Sequence, residues 1–322
     1  MISVVVLGAF AVLFATAVPA LLRRLPLDRA PRVGTVLWQV TLAAATASAL
    51  LAALALAVLL PELSRDLAES FRLCLLALQH AYRSPGGLAG AALGLALFVA
   101  MSIRLLWSLA HSLHEARRQR VRHRALLALV ARPHVGATVV VDSPVAIAYC
   151  VPGRPGHVVV TEGALARLTP DELDAVVAHE RAHLRGRHAL VLAGIDALCA
   201  AAPRISGFRD ARQEVGRLLE MLADDAARRE HGGLPVAHAL LRLGTARAPA
   251  GALPANGGDT MARVLRLTGQ RDAAPRWLSA VGYLAALSML VAPVLIALGP
   301  VAAADRTYCP VEGASVSAES TI

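Results

Sequence analysis

The chain has no lysine: all 32 of its basic residues are arginine. A penicillin-binding acyl-enzyme needs Ser-x-x-Lys and Lys-Thr-Gly elements, so that chemistry is excluded. Charge is scarce too, at 17% of residues against 56% hydrophobic, and mean hydropathy is +0.56. That balance excludes an ordinary soluble domain and points to a membrane protein. There are few cysteines, and Cys150 and Cys199 have no metal-ligand spacing. In a reducing compartment they read as small core residues. Aromatics make up only 4%, and none interleaves the basic run Arg117, Arg118, Arg120, Arg122 and Arg124. Without a base-stacking surface, the net charge of +9 reads as attraction to anionic membrane lipid near that run, with no direct nucleic-acid binding.

Long apolar runs are plentiful. Residues 3–22, 35–60, 86–109 and 277–303 are each long enough to span a bilayer. Small-residue sites at Ala15-Thr-Ala17 and Ala17-Val-Pro-Ala20 suggest a cleaved signal peptide, but no basic residue precedes the run. Arg23, Arg24, Arg29 and Arg32 follow it instead, so a retained first span is expected. Arg104, near the end of the third run, is expected to snorkel. Trp277 and Tyr283 suit interface anchors. The basic flanks fall on one side at every crossing, which orients both termini outside and residues 110–276 in the cytoplasm, in the plasma membrane. Residues 304–322 then form a short extracytoplasmic tail. In that topology Cys74 and Cys309 are the outer cysteines. Two readings stand: a Cys74–Cys309 bridge, or Cys74 packed as a small hydrophobe with Cys309 free, lipidated or paired between chains.

Within the inner portion, Thr169, Pro170 and Glu172 form a capping box with proline at the first helical position. The helix they open carries His-Glu-Arg-Ala-His at 179–183. Residues four apart share a helix face, so His179 and His183 can reach one ion, with Glu180 about 100° round as general base. A site of this kind needs a third protein ligand. The stretch 218–227 reads as a second helix with Glu220 and Asp224 on one face. Glu220 is expected to be the third ligand of a single Zn2+ ion, and Asp224 to hold the second nitrogen of a ligating histidine. His188 is expected on the opposite helix face, solvated. Asp225 is expected to be a solvated carboxylate. His157, His231 and His238 are alternatives for stabilising an oxyanion, with nothing in the spacing to select one.

Residues 139–142, 145–151 and 157–161 read as strands, the last either an ordinary sheet strand or one that pairs with an extended substrate. Residues 189–203 form an apolar helix too short to span, buried or against the membrane, and 236–247 a further helix. The expected fold class is an α-helical membrane protein with four transmembrane helices and an inserted cytoplasmic α+β zinc peptidase domain, gluzincin-like in that H-E-x-x-H followed by E-x-x-A-D resembles the gluzincin peptidases.

The four spans, the domain between the third and fourth, and the pair H-E-x-x-H and E-x-x-x-D resemble the BlaR/MecR-type antirepressor peptidases. The texture from Val158 through Leu165 and from Glu172 to His188 is similar to actinobacterial members. The resemblance implies His179, His183 and Glu220 as zinc ligands, Glu180 as the catalytic residue and Asp224 behind them. It also implies a winged-helix repressor as the protein substrate. The chain departs from the best-known members in having only residues 304–322 after the fourth span, without their penicillin-binding sensor. Two other readings share the motif pair: a housekeeping peptidase resembling the HtpX or CAAX-protease group, and a non-catalytic transducer with a structural zinc. Three spans before the domain and one after favour the regulator.

Overall fold

The computed structural model describes residues 2–57, 85–134, 136–244, 257–269 and 275–308. Among them, four helices are long and apolar enough to cross a membrane: Ile2–Leu22, Pro31–Ala57, Ala89–Val130 and Trp277–Leu298. Cys74 and Cys309, and with them the bridge between them, lie outside the described residues.

The first apolar run is two helices, α1 (Ile2–Ala15) and α2 (Ala17–Leu22). Pro19 accounts for the break, because it has no amide to donate to the Ala15 carbonyl and its ring crowds the preceding turn. Helix α3 (Pro31–Ala57) opens on a proline, where no donor is needed. Helix α4 (Pro85–Val130) continues unbroken past the end of its apolar run. Its 46 residues make a rod roughly 69 Å long, more than twice the ~30 Å hydrocarbon core. The basic run 117–124 therefore lies roughly 12–22 Å beyond Leu109 along the helix, further than a Debye length of about 8 Å.

The chain resolves into two compact units, one of residues 1–12, 44–102 and 290–322, the other of residues 13–43 and 103–289. In the first, α3 and α4 cross closely at Gly94, where a side-chain carbon would come within 2.7 Å of the Ala57 amide nitrogen. The second holds a four-stranded sheet in the order β1-β2-β4-β3. Strands β1 (Ala131–Pro133) and β2 (Thr138–Val141) are antiparallel, β2 runs parallel to β4 (His157–Thr161), and β3 (Ala148–Val151) is antiparallel to β4. Strand β1 was not foreseen, since Arg132 and Pro133 suit only an edge.

Val158, Val159 and Val160 in β4 are all buried. Val158 and Val160 pack with Val177 and Leu168 on one face, and Val159 packs with Leu127 and Val151 on the other. A strand covered on both faces reads as a continuous valine run. It also has neighbours on both edges, so residues 157–161 cannot pair with a substrate. Among the described strands the outer edges belong to β1 and β3. After the short α5 (Glu162–Leu165), four helices complete this part: α6 (Pro170–Arg185), α7 (His188–Ala201), α8 (Ser206–His231) and α9 (Gly233–Leu243). Then come α10 (Gly257–Leu267) and α11 (Arg276–Tyr308), which contains the fourth apolar run.

Candidate metal centre

Helix α6 starts as its sequence dictates. Thr169 Oγ1 accepts the Glu172 amide at 3.4 Å, Glu172 Oε2 accepts the Thr169 amide at 2.9 Å, and Pro170 follows the cap. This fixed start places His179 and His183 on one face, their Nε2 atoms 3.1 Å apart. Helix α8 brings Glu220 across, with Oε2 3.6 Å from His179 Nε2 and Oε1 3.4 Å from His183 Nε2. Among the described residues these three form the one group able to hold a metal ion, their ligand atoms all within 4.8 Å of one another.

The atoms behind them set their orientation. Asp224 Oδ1 lies 3.0 Å from His179 Nδ1, so the carboxylate can fix that ring with Nε2 turned toward Glu220. Arg263 of α10 binds Asp224 through two nitrogens, at 2.7 and 2.8 Å, and reaches Glu220 Oε2 at 3.2 Å. Both Asp224 and Arg263 are buried. The sequence pattern assigns Arg263 no part in the site. It lies 39 residues from Asp224, and no local pattern reports such a pairing. One turn on, Arg266 binds Asp225 at 2.7 Å. Asp225 is thus an ion-paired, largely buried carboxylate, against the expected solvated one.

His188 departs furthest from expectation. Extrapolating α6 through residue 188 puts this ring on the far face, but the helix ends at Arg185. Arg187, at φ 50°, turns the chain so that His188 begins α7. A side-chain carbon on Gly186 would come 2.4 Å from His188 Nε2, so glycine alone leaves room for the ring. His188 is buried, and its Nδ1 lies 2.8 Å from Nδ1 of His183. One ring donates and the other accepts, leaving His183 Nε2 directed at Glu220. His188→Ala removes that partner and should weaken metal binding about 10–100-fold. Competition with a chromophoric chelator measures it, and an unchanged affinity would detach His188 from the site.

Glu180 faces the sheet. The Cys150 thiol of β3 interacts electrostatically with its carboxylate, which places the thiol beside the site. Cys199 does behave as a core residue, its thiol 3.2 Å from the Phe208 carbonyl oxygen. His238 approaches Glu172 at 3.9 Å, His231 is exposed at the end of α8, and His157 opens β4. Arg104 does not snorkel: it donates to the Ala200 and Ala201 carbonyls at the end of α7.

The charges suit a cation. Burial alone would lower His179, but hydrogen bonds to Asp224 and Glu220 carry it up to about 10. Burial and the neighbouring His179 charge push His183 down to about 3. Burial would raise Glu220, yet His179, His183 and Arg263 together bring it down to about 2. Burial pushes Glu180 up to about 7, against the pull of His179. Burial, reinforced by the negative Glu180, holds the Cys150 thiol above its usual range. Two imidazoles and one ionised carboxylate, each with a partner behind it, match the three-ligand donor set of catalytic zinc sites.

Residues 112–227 match the model of Peptidase family M48, a stretch that contains His179, His183, Glu220 and Asp224. No curated protein and no solved structure matches the chain. The match indicates a metallopeptidase domain, and the four apolar helices suggest that a membrane protein carries it. A peptidase of this family implies protein or peptide substrates and a metal, typically zinc.

Proposed function

We propose that the chain is an integral-membrane zinc metalloendopeptidase of regulatory type, which cleaves or inactivates a winged-helix transcriptional repressor. The observation that carries the peptidase reading is the convergence of His179, His183 and Glu220 beside a buried Glu180. Three apolar helices before the domain and one after it support the regulatory reading. The arginine flanks support a plasma-membrane topology with both termini outside and the peptidase domain in the cytoplasm.

His179, His183 and Glu220 are the ligands of one Zn2+ ion in this reading. When bound, zinc supplies Lewis-acid polarisation of the scissile carbonyl and lowers the pKa of water. Asp224 and His188 hold the two histidine rings, and Arg263 keeps Glu220 ionised. Glu180 takes the proton of the attacking water and passes it to the leaving amine. Burial raises this carboxyl above its ordinary value, the direction that favours handing the proton on. Beside α6, the outer edge of β3, unpaired among the described strands, offers backbone hydrogen bonds to an extended peptide.

The match to Peptidase family M48 keeps a second reading in view, a housekeeping peptidase resembling the HtpX or CAAX-protease group. Co-expression of the chain with a candidate winged-helix repressor separates the two. The regulatory reading expects repressor loss with the native chain and none with Glu180→Gln. An intact repressor, alongside cleavage of unrelated membrane proteins, would select the housekeeping reading.

A further inference from the structure

The metal-binding end of α7 starts at His188. At its other end Ala202, Pro203, Arg204 and Ile205 form a tight tip, and α8 returns from it toward Glu220. Two separate contacts fix the level of this tip. Arg104 donates to the carbonyls of Ala200 and Ala201, and Ser108 Oγ donates to the Ala197 carbonyl at 2.6 Å. Arg104 stands five residues before the end of the third apolar run, roughly 8 Å inside it. On the other side, Gly207 packs on the first span so closely that a side-chain carbon there would meet the Ala15 carbonyl oxygen at 2.3 Å and Pro19 at 2.8 Å. Ala15 stands eight residues before Arg23, roughly 12 Å inside that run. The two spans thus report a similar depth independently.

We propose that the tip between α7 and α8 is sunk into the bilayer and that its partner is phospholipid. Ala200 and Pro203 are exposed there and meet acyl chains, while Ile205 is part-exposed beside them. Arg204 and Arg209 are exposed on either side, long enough to reach phosphates at the surface. Asp196, the one acidic residue of α7, is neutralised by Arg212. Phospholipid is the occupant because the elements holding the tip are themselves spans, so the exposed face continues their lipid-facing surface. The 5–10 Å burial typical of interfacial helices matches this depth. Helix α8 runs unbroken from Gly207 to Glu220, thirteen residues or roughly 20 Å. The metal centre then stands within roughly 10 Å of the apolar layer, on a helix whose other end touches lipid. The basic run 117–124 is not needed for this contact.

The test uses the full-length protein in nanodiscs of phosphatidylcholine and phosphatidylglycerol, with photoreactive benzoyl-phenylalanine replacing Ile205. A control replaces Arg229, at the opposite end of α8 and roughly 36 Å away. Phospholipid adducts should form at least tenfold more at position 205, and equal yields, or none at 205, would overturn the proposal. Ala200→Cys labelled with bimane, read against the unsubstituted chain as the labelling blank, guards against a local packing defect. Its fluorescence should be quenched by phospholipids brominated on their upper acyl carbons. Quenching by aqueous iodide alone would place the tip in water.

Discussion

Glu180→Gln should leave the metal in place while peptide cleavage falls by about 10²–10⁴-fold, the usual worth of a general base. The prediction separates two roles that lie next to each other in sequence. His179 turns its Nε2 toward Glu220, whereas Glu180, one residue on, turns toward Cys150 of the sheet. Glutamine keeps the size and one oxygen of the side chain, but it cannot take a proton from water. Metal content and cleavage rate should therefore part company. Loss of metal from the Glu180 variant would place this residue among the ligands, and full activity would remove it from the chemistry.

Glu220→Ala should have the opposite signature, with metal lost and cleavage lost with it. Removing a ligand should cost more than the 10–100-fold that follows loss of an outer partner. Glu220 also separates two buried cationic groups, with Arg263 at 3.2 Å on one side and the histidine nitrogens at 3.4 and 3.6 Å on the other. Without its charge Asp224 alone is left to balance them, so retention at high metal concentration is not expected either. Metal analysis of the purified variant, beside its thermal unfolding to show that the fold persists, gives the answer. A variant that keeps stoichiometric metal would strike Glu220 from the ligand set.

How much of this was legible beforehand depends on the range of the interaction. The capping box at Thr169 and Glu172 and the pairing of His179 with His183 are local, set by helical spacing, and could be read directly. So could Glu220 and Asp224, one turn apart on α8. His188 could not, because one left-handed residue, Arg187, ended the periodicity on which the extrapolation relied. Gly186 two residues earlier was the available signal, a glycine where a helix stops. Arg263 was out of reach for another reason: its partner is decided by how α10 docks on α8, which no spacing in the chain encodes. Strand β4 and both its neighbours were found as strands, but not their order, which covers both edges of β4 and leaves β3 as the outer strand on that side. The first span was found, and the turn at Thr16 inside it is the detail that Pro19 could have signalled.

The central claim is a mononuclear zinc centre built from two histidines and one glutamate. X-ray absorption at the zinc edge on the detergent-purified native chain, with metal quantified on the same sample, tests it most directly. The account predicts one zinc per chain, two imidazole shells and oxygen for the remaining ligands, at about 2.0–2.2 Å. A sulfur shell near 2.3 Å would bring Cys150 into the coordination sphere, and a chain that binds no zinc would contradict the account outright.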